Sequence, residues 1–297
     1  GSTAAYELAK RGAKVLLVDS RKRVGYPVQC AEFVPVQLSY RFPEFFPKEV
    51  WVQKVEEMVH FTPWGEVVRM PSEGFMLNRE RFDALIAELA VKEGAELRLK
   101  TKFLGFEDGK GVFMDLRTKK TFKVSADYFI GADGARSEVA KKTGEHTRSF
   151  LITAQVSVPL KEKLKDLLIF FRDYIPGGYG WIFPKGEIAN VGVGIGFIPG
   201  EGIKKPLRGN VLLVGDAGGF CHPITGGGIA NAVLTGEMAG RNLGEGKPEE
   251  FEEEALDTFE VSINRAAEKR KNYMKSWDDL KRIIPKTWIA FEEYYRD

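Results

Sequence analysis

Three short apolar runs, each closing on a glycine or aspartate loop, constrain the fold of this chain more than any other feature. They are Val15-Leu16-Leu17-Val18 before Asp19, Tyr128-Phe129-Ile130 before Gly131-Ala132-Asp133-Gly134, and Val211-Leu212-Leu213-Val214 before Gly215-Asp216. Strands without polar alternation are buried on both faces, as in parallel sheets covered by helices. Helical stripes flank them. Ala4, Ala5, Leu8 and Ala9 form one, with Gly12 as its stop; Phe82, Leu85, Ile86, Leu89 and Ala90 form another, opened by Asn78 and ended by Gly94. Residues 229–242 read as a third helix, and the charged tail from 249 as helical. Residues 95–99 form a strand, and 102–127 alternate around Asp108-Gly109 as a β-meander. Residues 151–197 read as a separate antiparallel sheet, and residues 20–76 as irregular with strand-like patches such as Val67-Val68 near Trp64-Gly65.

Length and composition narrow the function. At 297 residues the chain holds about two domains. Its 44 basic and 42 acidic residues nearly cancel and form no basic run, which removes the electrostatic footprint of a nucleic-acid binder. No stretch approaches the roughly 18 apolar residues of a membrane span. Cys30 and Cys221 are the only cysteines, without partners at metal spacing, so neither a disulfide scaffold nor a metal site is expected, and a reducing, cytoplasmic setting is.

Each loop has a functional and a plain reading. In a dinucleotide fold the third glycine of GxGxxG packs helix on strand, and an acid about 20 residues on binds a ribose hydroxyl; Gly1 and Asp19 fit those places. An Asp that ends a strand before a loop is usually a solvated turn former, and Asp19 suits that use as well. The backbone around Gly134 can approach a ligand closely, and Asp133 can accept hydrogen bonds from one or cap a helix. The glycines Gly226-Gly227-Gly228 at a helix start cost backbone entropy, which close approach by a ligand would explain, and the helix N-terminus there offers free amides and partial positive charge. The chain enters its first helix at Gly1. The strand and two glycines that would precede it in such a motif are expected upstream, and without them this sequence is expected to bind its dinucleotide cofactor poorly.

These loops in this order resemble the FAD-dependent hydroxylase fold group, and residues 176–194 are similar to one branch of it, the geranylgeranyl reductase family. That family carries YxWxFP, then seven or eight residues, then GxG; here Tyr179-Gly180-Trp181-Ile182-Phe183-Pro184 precedes seven residues and Gly192-Val193-Gly194. Pro27-Val28-Gln29-Cys30-Ala31-Glu32 resembles its stretch near the flavin, and Arg79 with Phe82-Asp83 its Arg-x-x-Phe-Asp helix start.

The resemblance implies an α/β architecture: a Rossmann-like FAD-binding domain (1–40, 72–150 and 207–246), an antiparallel-sheet substrate domain (41–71 and 151–206) and a helical C-terminal region (247–297). It implies FAD-dependent saturation of isoprenoid double bonds in archaeal membrane-lipid precursors. Electrons would come from an external donor: ferredoxin, a nicotinamide or a deazaflavin. Cofactor positions would be Gly1, Asp19, Cys30, Arg79, Asp133, Gly134, Asp216, Gly227 and Gly228. Tyr179, Trp181 and Phe183 would wall the lipid pocket, since aromatic faces pack well on a prenyl chain. No catalytic group is identified; the candidates are Cys30, for a chemical role near the flavin, and His222, as a proton donor, each with a plain reading, Cys30 as an inert buried residue and His222 as a packing or solvent-contact residue. A lipid substrate also implies peripheral contact with the bilayer, for which the amphipathic tail with Trp277 and Trp288 is a candidate, as is its packing on its own domain. The alternatives are a flavin monooxygenase or halogenase of the same fold group, and a non-catalytic FAD-fold binding protein.

Overall fold

The computed structural model describes residues 1–145, 147, 152–195, 202–275 and 278–296. The chain divides into two compact units, one of Gly1–Pro27, Asp83–Arg148 and Glu201–Asn264, the other of Val28–Phe82, Ser149–Gly200 and Arg265–Asp297. The second unit thus takes in residues 28–40, 72–82 and the end of the tail. His146 and Trp277 lie outside the described residues.

The chain opens with α1 (Ser2–Lys10) and β1 (Leu16–Asp19), then β2 (Phe33–Pro35) and α2 (Gln37–Arg41). Two long strands follow, β3 (Trp51–Phe61) and β4 (Val67–Leu77), then α3 (Arg79–Lys92) and β5 (Glu96–Leu99). The meander is β6 (Thr101–Glu107), β7 (Lys110–Asp115) and β8 (Thr121–Val124), and it leads to β9 (Phe129–Gly131) and α4 (Glu138–Lys142). Next come β10 (Ile152–Pro159), β11 (Leu167–Phe170), β12 (Tyr179–Lys185) and β13 (Ile188–Ile195). The last elements are β14 (Leu207–Arg208), β15 (Val211–Leu213), α5 (Ile229–Gly244), α6 (Pro248–Lys275) and α7 (Leu280–Thr287).

In the first unit, α1 ends as its sequence implies. Gly12 takes φ +79, with Gly12 N–H donating to the Ala9 carbonyl at 2.9 Å and Ala13 N–H to that of Leu8 at 3.1 Å, a Schellman stop. Strand β1 runs parallel to β5, and β9 parallel to β15, with β14 antiparallel at the edge. All of β15 is buried, whereas every residue of β1 is only half-buried, so the first apolar run is less enclosed than its composition implies. Helix α1 crosses α5 at close range through Gly236, Gly240 and Gly244. A Cβ on Gly240 would meet the Glu7 Cβ at 2.6 Å and the Ala4 carbonyl at 2.8 Å, so only glycine permits that spacing. Leu212, Val214, Phe220, Met238, Phe251, Phe259 and Ile263 form the core beneath.

The second unit holds a seven-stranded sheet in the order β10-β13-β12-β11-β3-β4-β2. Every pair is antiparallel except β11 with β3. Residues 151–197 are therefore not a separate sheet, and residues 20–76 are not irregular throughout: they supply the β3–β4 hairpin and the edge strand β2. The register of the hairpin shifts between Trp51 and Gln53 and again between Val55 and Glu57, opposite the stretch that carries Pro71. Those irregularities break the two-residue alternation that marks a strand, which is why the hairpin is faint in the sequence.

The end of the tail covers one face of this sheet. Trp288 is 2% exposed and meets Tyr179 at 4.8 Å, Phe171 at 4.9 Å and His60 at 6.0 Å between ring centroids. Of the two readings of Trp288, packing on its own domain is the one observed; a burial this complete leaves it no bilayer contact. Among the described residues no helix is long and apolar enough to cross a membrane.

His60 is fully buried, and desolvation lowers its pKa from 6.5 to about 4. The unfolded chain therefore binds a proton between pH 6.5 and about 4 that the folded chain refuses. The stabilisation is complete above pH 6.5 and is lost as pH falls towards 4, at a slope of about 1.4 kcal/mol per pH unit inside that window. Urea denaturation at pH 7 and pH 5 should show the loss, and a His60→Gln variant should show a correspondingly flatter dependence.

Candidate functional site

In the first unit the loops after β1, β9 and β15 carry the expected cofactor positions. A Cβ on Gly1 would lie 3.1 Å from the Ala132 Cβ, so the start of α1 packs directly on the loop after β9. Asp19 closes β1, and its Oδ1 accepts the Arg21 N–H at 2.8 Å, the turn-forming use.

Asp133 also has a local task. Its Oδ2 accepts the N–H groups of Glu138 at 2.7 Å and Val139 at 3.2 Å, and its Oδ1 the Ser137 hydroxyl at 2.5 Å, while Ser137 Oγ caps α4 by accepting the Ala140 N–H at 2.8 Å. The carboxylate thus serves the helix start. Gly134, at φ +80 with open space where a Cβ would stand, is the position in this loop where a ligand can approach the backbone.

The third loop is the most ligand-like. Gly228 is the N-cap of α5 with no side-chain hydrogen bond to the helix amides. A Cβ on Gly228 would come 3.0 Å from Asp216 Oδ1 and 3.3 Å from Cys221 Sγ, so Asp216 is held beside the helix start. Gly227 donates its N–H to Thr225 Oγ1 at 3.2 Å. A 16-residue helix opening on glycine, with an acid alongside, presents amides and partial positive charge to an anionic or polyhydroxylated group, and FAD fits that donor set.

His222 shapes the same loop. Its Nδ1 accepts the Thr225 N–H at 3.2 Å, and burial lowers its pKa to about 4. At neutral pH the ring is uncharged and has no imidazolium proton to give.

In the second unit, the YxWxFP and GxG motifs prove to be two strands of one hairpin. Tyr179 pairs with Gly194, Trp181 with Gly192 and Phe183 with Asn190. The motif spacing is the hairpin register. A Cβ on Gly192 would stand 2.2 Å from Trp181 Cζ2 and 2.8 Å from the Ala154 carbonyl, so the glycine exists to let the indole lie across its neighbour strand. Trp181 Nε1 donates to Gln155 Oε1 at 3.1 Å. Tyr179 is half-buried, and Trp181 and Phe183 are each 7% exposed.

Cys30 and Arg79 lie in this same unit. Burial raises the pKa of the Cys30 thiol, while the Arg79 guanidinium, which hydrogen-bonds the sulfur, works in the other direction. The thiol therefore keeps its proton at neutral pH. Asn78 caps α3 through Oδ1, which accepts the Arg81 N–H at 3.3 Å and fixes the turn from which Arg79 projects.

Sequence reasoning missed the role of Glu32. This residue is 3% exposed, and its carboxylate accepts Lys185 Nζ at 2.8 Å on both oxygens, Asn190 Nδ2 at 2.7 Å and the Arg79 N–H at 3.1 Å. Only its place at the end of the Pro27–Glu32 stretch hinted at it.

Comparison with known proteins places the chain in a family. Residues 53–169 match the family described as FAD binding domain, and residues 152–207 the geranylgeranyl reductase catalytic domain. Digeranylgeranylglycerophospholipid reductase 3 of Methanosphaera stadtmanae is 32% identical, the alignment covering 94% of this chain and 84% of that one. The Methanosarcina acetivorans digeranylgeranylglycerophospholipid reductase is 33% identical over 93% of this chain and 77% of that one. A crystal structure of a geranylgeranyl bacteriochlorophyll reductase-like protein from Thermoplasma acidophilum superposes with a TM-score of 0.86, 25% identity and coverage of 98% and 89%. The flavin-dependent brominase Bmp2, at 13% identity, covers 98% of this chain and 89% of its own with a TM-score of 0.73, a likeness of fold alone. At this identity and coverage the chain belongs to one enzyme family, the geranylgeranyl reductases, FAD-dependent oxidoreductases that act on carbon–carbon double bonds.

Proposed function

We propose that this chain saturates the isolated double bonds of geranylgeranyl groups on membrane-lipid precursors, with FAD as its resident cofactor. The observation that carries the reading is the β12–β13 hairpin, where Tyr179, Trp181 and Phe183 share one sheet face and Gly192 makes room for the indole. An isolated alkene has no carbonyl to take up developing charge, so holding it in place is much of the catalysis. An aromatic row does that for a prenyl chain without hydrogen bonds.

FAD, when bound, supplies the hydride equivalent for one alkene carbon. The residues of this chain hold it and complete the addition. Gly1, Asp19, Gly134, Asp216, Gly227 and Gly228, with the Asp133-capped loop, form the cofactor positions of the first unit. Arg79 and Cys30 serve the second. Cys30 is the proton source for the other alkene carbon, because its thiol is protonated at neutral pH and Arg79 stabilises the thiolate that remains; water returns the proton. His222, neutral and turned into its own loop, holds that loop instead. The electron donor is external, of the ferredoxin, nicotinamide or deazaflavin class, and the enzyme works in the cytoplasm against the membrane surface, where its substrate resides.

Trp181→Ala tests the assignment. In FAD-loaded protein it should cut reduction of a geranylgeranyl lipid by at least about tenfold while flavin content stays at the wild-type level. A folded variant with full turnover would take Trp181 out of the substrate site.

A further inference from the structure

We infer that Glu32 is a positioning residue, whose carboxylate locks the Cys30 loop across the aromatic face of the substrate sheet; the inference rests on the reductase reading above. Tyr179, Trp181, Phe183 and Lys185 alternate along β12 and so share one face, with Gly194, Gly192, Asn190 and Ile188 opposite them on β13. Gln155 and Ser157 of β10 pair with Gly192 and Asn190 and join that face.

Three consecutive loop residues dock on it. The Cys30 carbonyl accepts Gln155 Nε2 at 3.0 Å, the Ala31 carbonyl accepts Asn190 Nδ2 at 3.3 Å, and the Glu32 carboxylate takes Lys185 and Asn190. Gln155 in turn accepts Trp181 Nε1, so one hydrogen-bond chain runs from the pocket indole to the Cys30 backbone. Ser157 Oγ donates to Asn190 Oδ1 at 3.0 Å and orients that amide.

Glu32 holds a left-handed backbone at φ +74, which a non-glycine residue adopts only where its surroundings enforce it. Here the enforcing contacts are its own carboxylate bonds, together with Leu77 N–H donating to the Glu32 carbonyl at 2.8 Å. The turn brings the Glu32 N–H to Cys30 Sγ at 3.2 Å. The same carboxylate accepts the N–H of Arg79, whose guanidinium faces the thiol. One buried anion thus sets the Cys30 loop, the base of Arg79 and the polar end of the aromatic row in a single arrangement.

The test uses the FAD-loaded holoenzyme and two variants. Glu32→Gln places an amide donor among donors and leaves Lys185 without its anion. It should lower kcat for a geranylgeranyl lipid by about tenfold with flavin content unchanged, because placement is lost and not cofactor. Labelling by N-ethylmaleimide, read at the Cys30 peptide by mass, should speed up by about threefold or more as the loop lifts. Glu32→Gln/Lys185→Gln removes both charges and allows amides to pair, so it should recover most of kcat and most of the protection. Wild-type kcat and unchanged labelling in Glu32→Gln would overturn the proposal, as would a double variant as slow as the single one with Cys30 still protected. A wild-type holoenzyme that leaves the lipid unreduced would sink the functional reading instead, and the labelling arm would still decide whether Glu32 holds the loop.

Discussion

Trp288→Ala should destabilise the protein by about 3–5 kcal/mol, the cost of truncating a large side chain enclosed on every side. Trp288 is 2% exposed and is ringed by Tyr179, Phe171 and His60, with two of those centroid distances below 5 Å. Edge-to-face aromatic pairs add about 0.5–1.5 kcal/mol each beyond burial, so the site has more to lose than area. Trp288→Phe should cost far less. The indole Nε1 is buried without a hydrogen-bond partner, and so is His60 Nε2, so phenylalanine removes an unsatisfied donor along with the missing ring. Chemical denaturation of the three proteins should rank wild type and Phe close together and Ala well below. Equal stability of the Ala variant would mean that the tail is not seated on the sheet as described. The Ala variant should also expose the segment after α6 to limited proteolysis, since its main anchor on the second unit is gone.

Gly192→Val should remove activity almost entirely and cost about 2–4 kcal/mol of stability, combining overpacking with a lost side-chain hydrogen bond. Its first added carbon would stand 2.2 Å from the Trp181 ring and 2.8 Å from the Ala154 carbonyl. The carbonyl belongs to a paired strand and cannot move far, so the indole must leave. Its departure breaks the Trp181 to Gln155 bond and with it the chain to the Cys30 carbonyl. Trp181→Ala in the Gly192→Val background should recover stability without activity, because the clash is relieved while the proposed pocket wall stays lost. Full stability of Gly192→Val alone would contradict the indole placement. FAD content should fall little in either variant, since the glycine loops of the first unit are untouched.

These variants mark where the sequence was legible. The YxWxFP and GxG motifs were legible only as a family resemblance, and the structure supplies the reason for their spacing: Trp181 and Gly192 pair across a hairpin, so the residues between them form a strand, a turn and a strand of set length. The apolar run of β15, the Schellman stop at Gly12 and the Asn78 cap of α3 are local, each decided within a few residues. Asp133 shows the limit of that logic. An acid after a strand and before a helix suits both a cofactor and a cap, and only the distances to Glu138, Val139 and Ser137 tell which groups its oxygens take. The β3–β4 hairpin was hidden because its register shifts destroy the alternation by which a strand is recognised.

By itself the sequence determined the parallel strands and the glycine loops after them, because periodicity and turn chemistry act over a few neighbouring residues. Only the tertiary structure decided that Glu32, with Lys185 and Asn190 more than 150 positions away, is the buried anchor of the Cys30 loop, and that Trp288 seats the tail. A carboxylate in a loop and a tryptophan in a charged tail are unremarkable until folding brings their partners to them. What fixes their roles is desolvation and hydrogen bonding between segments far apart in the chain, which no local pattern encodes.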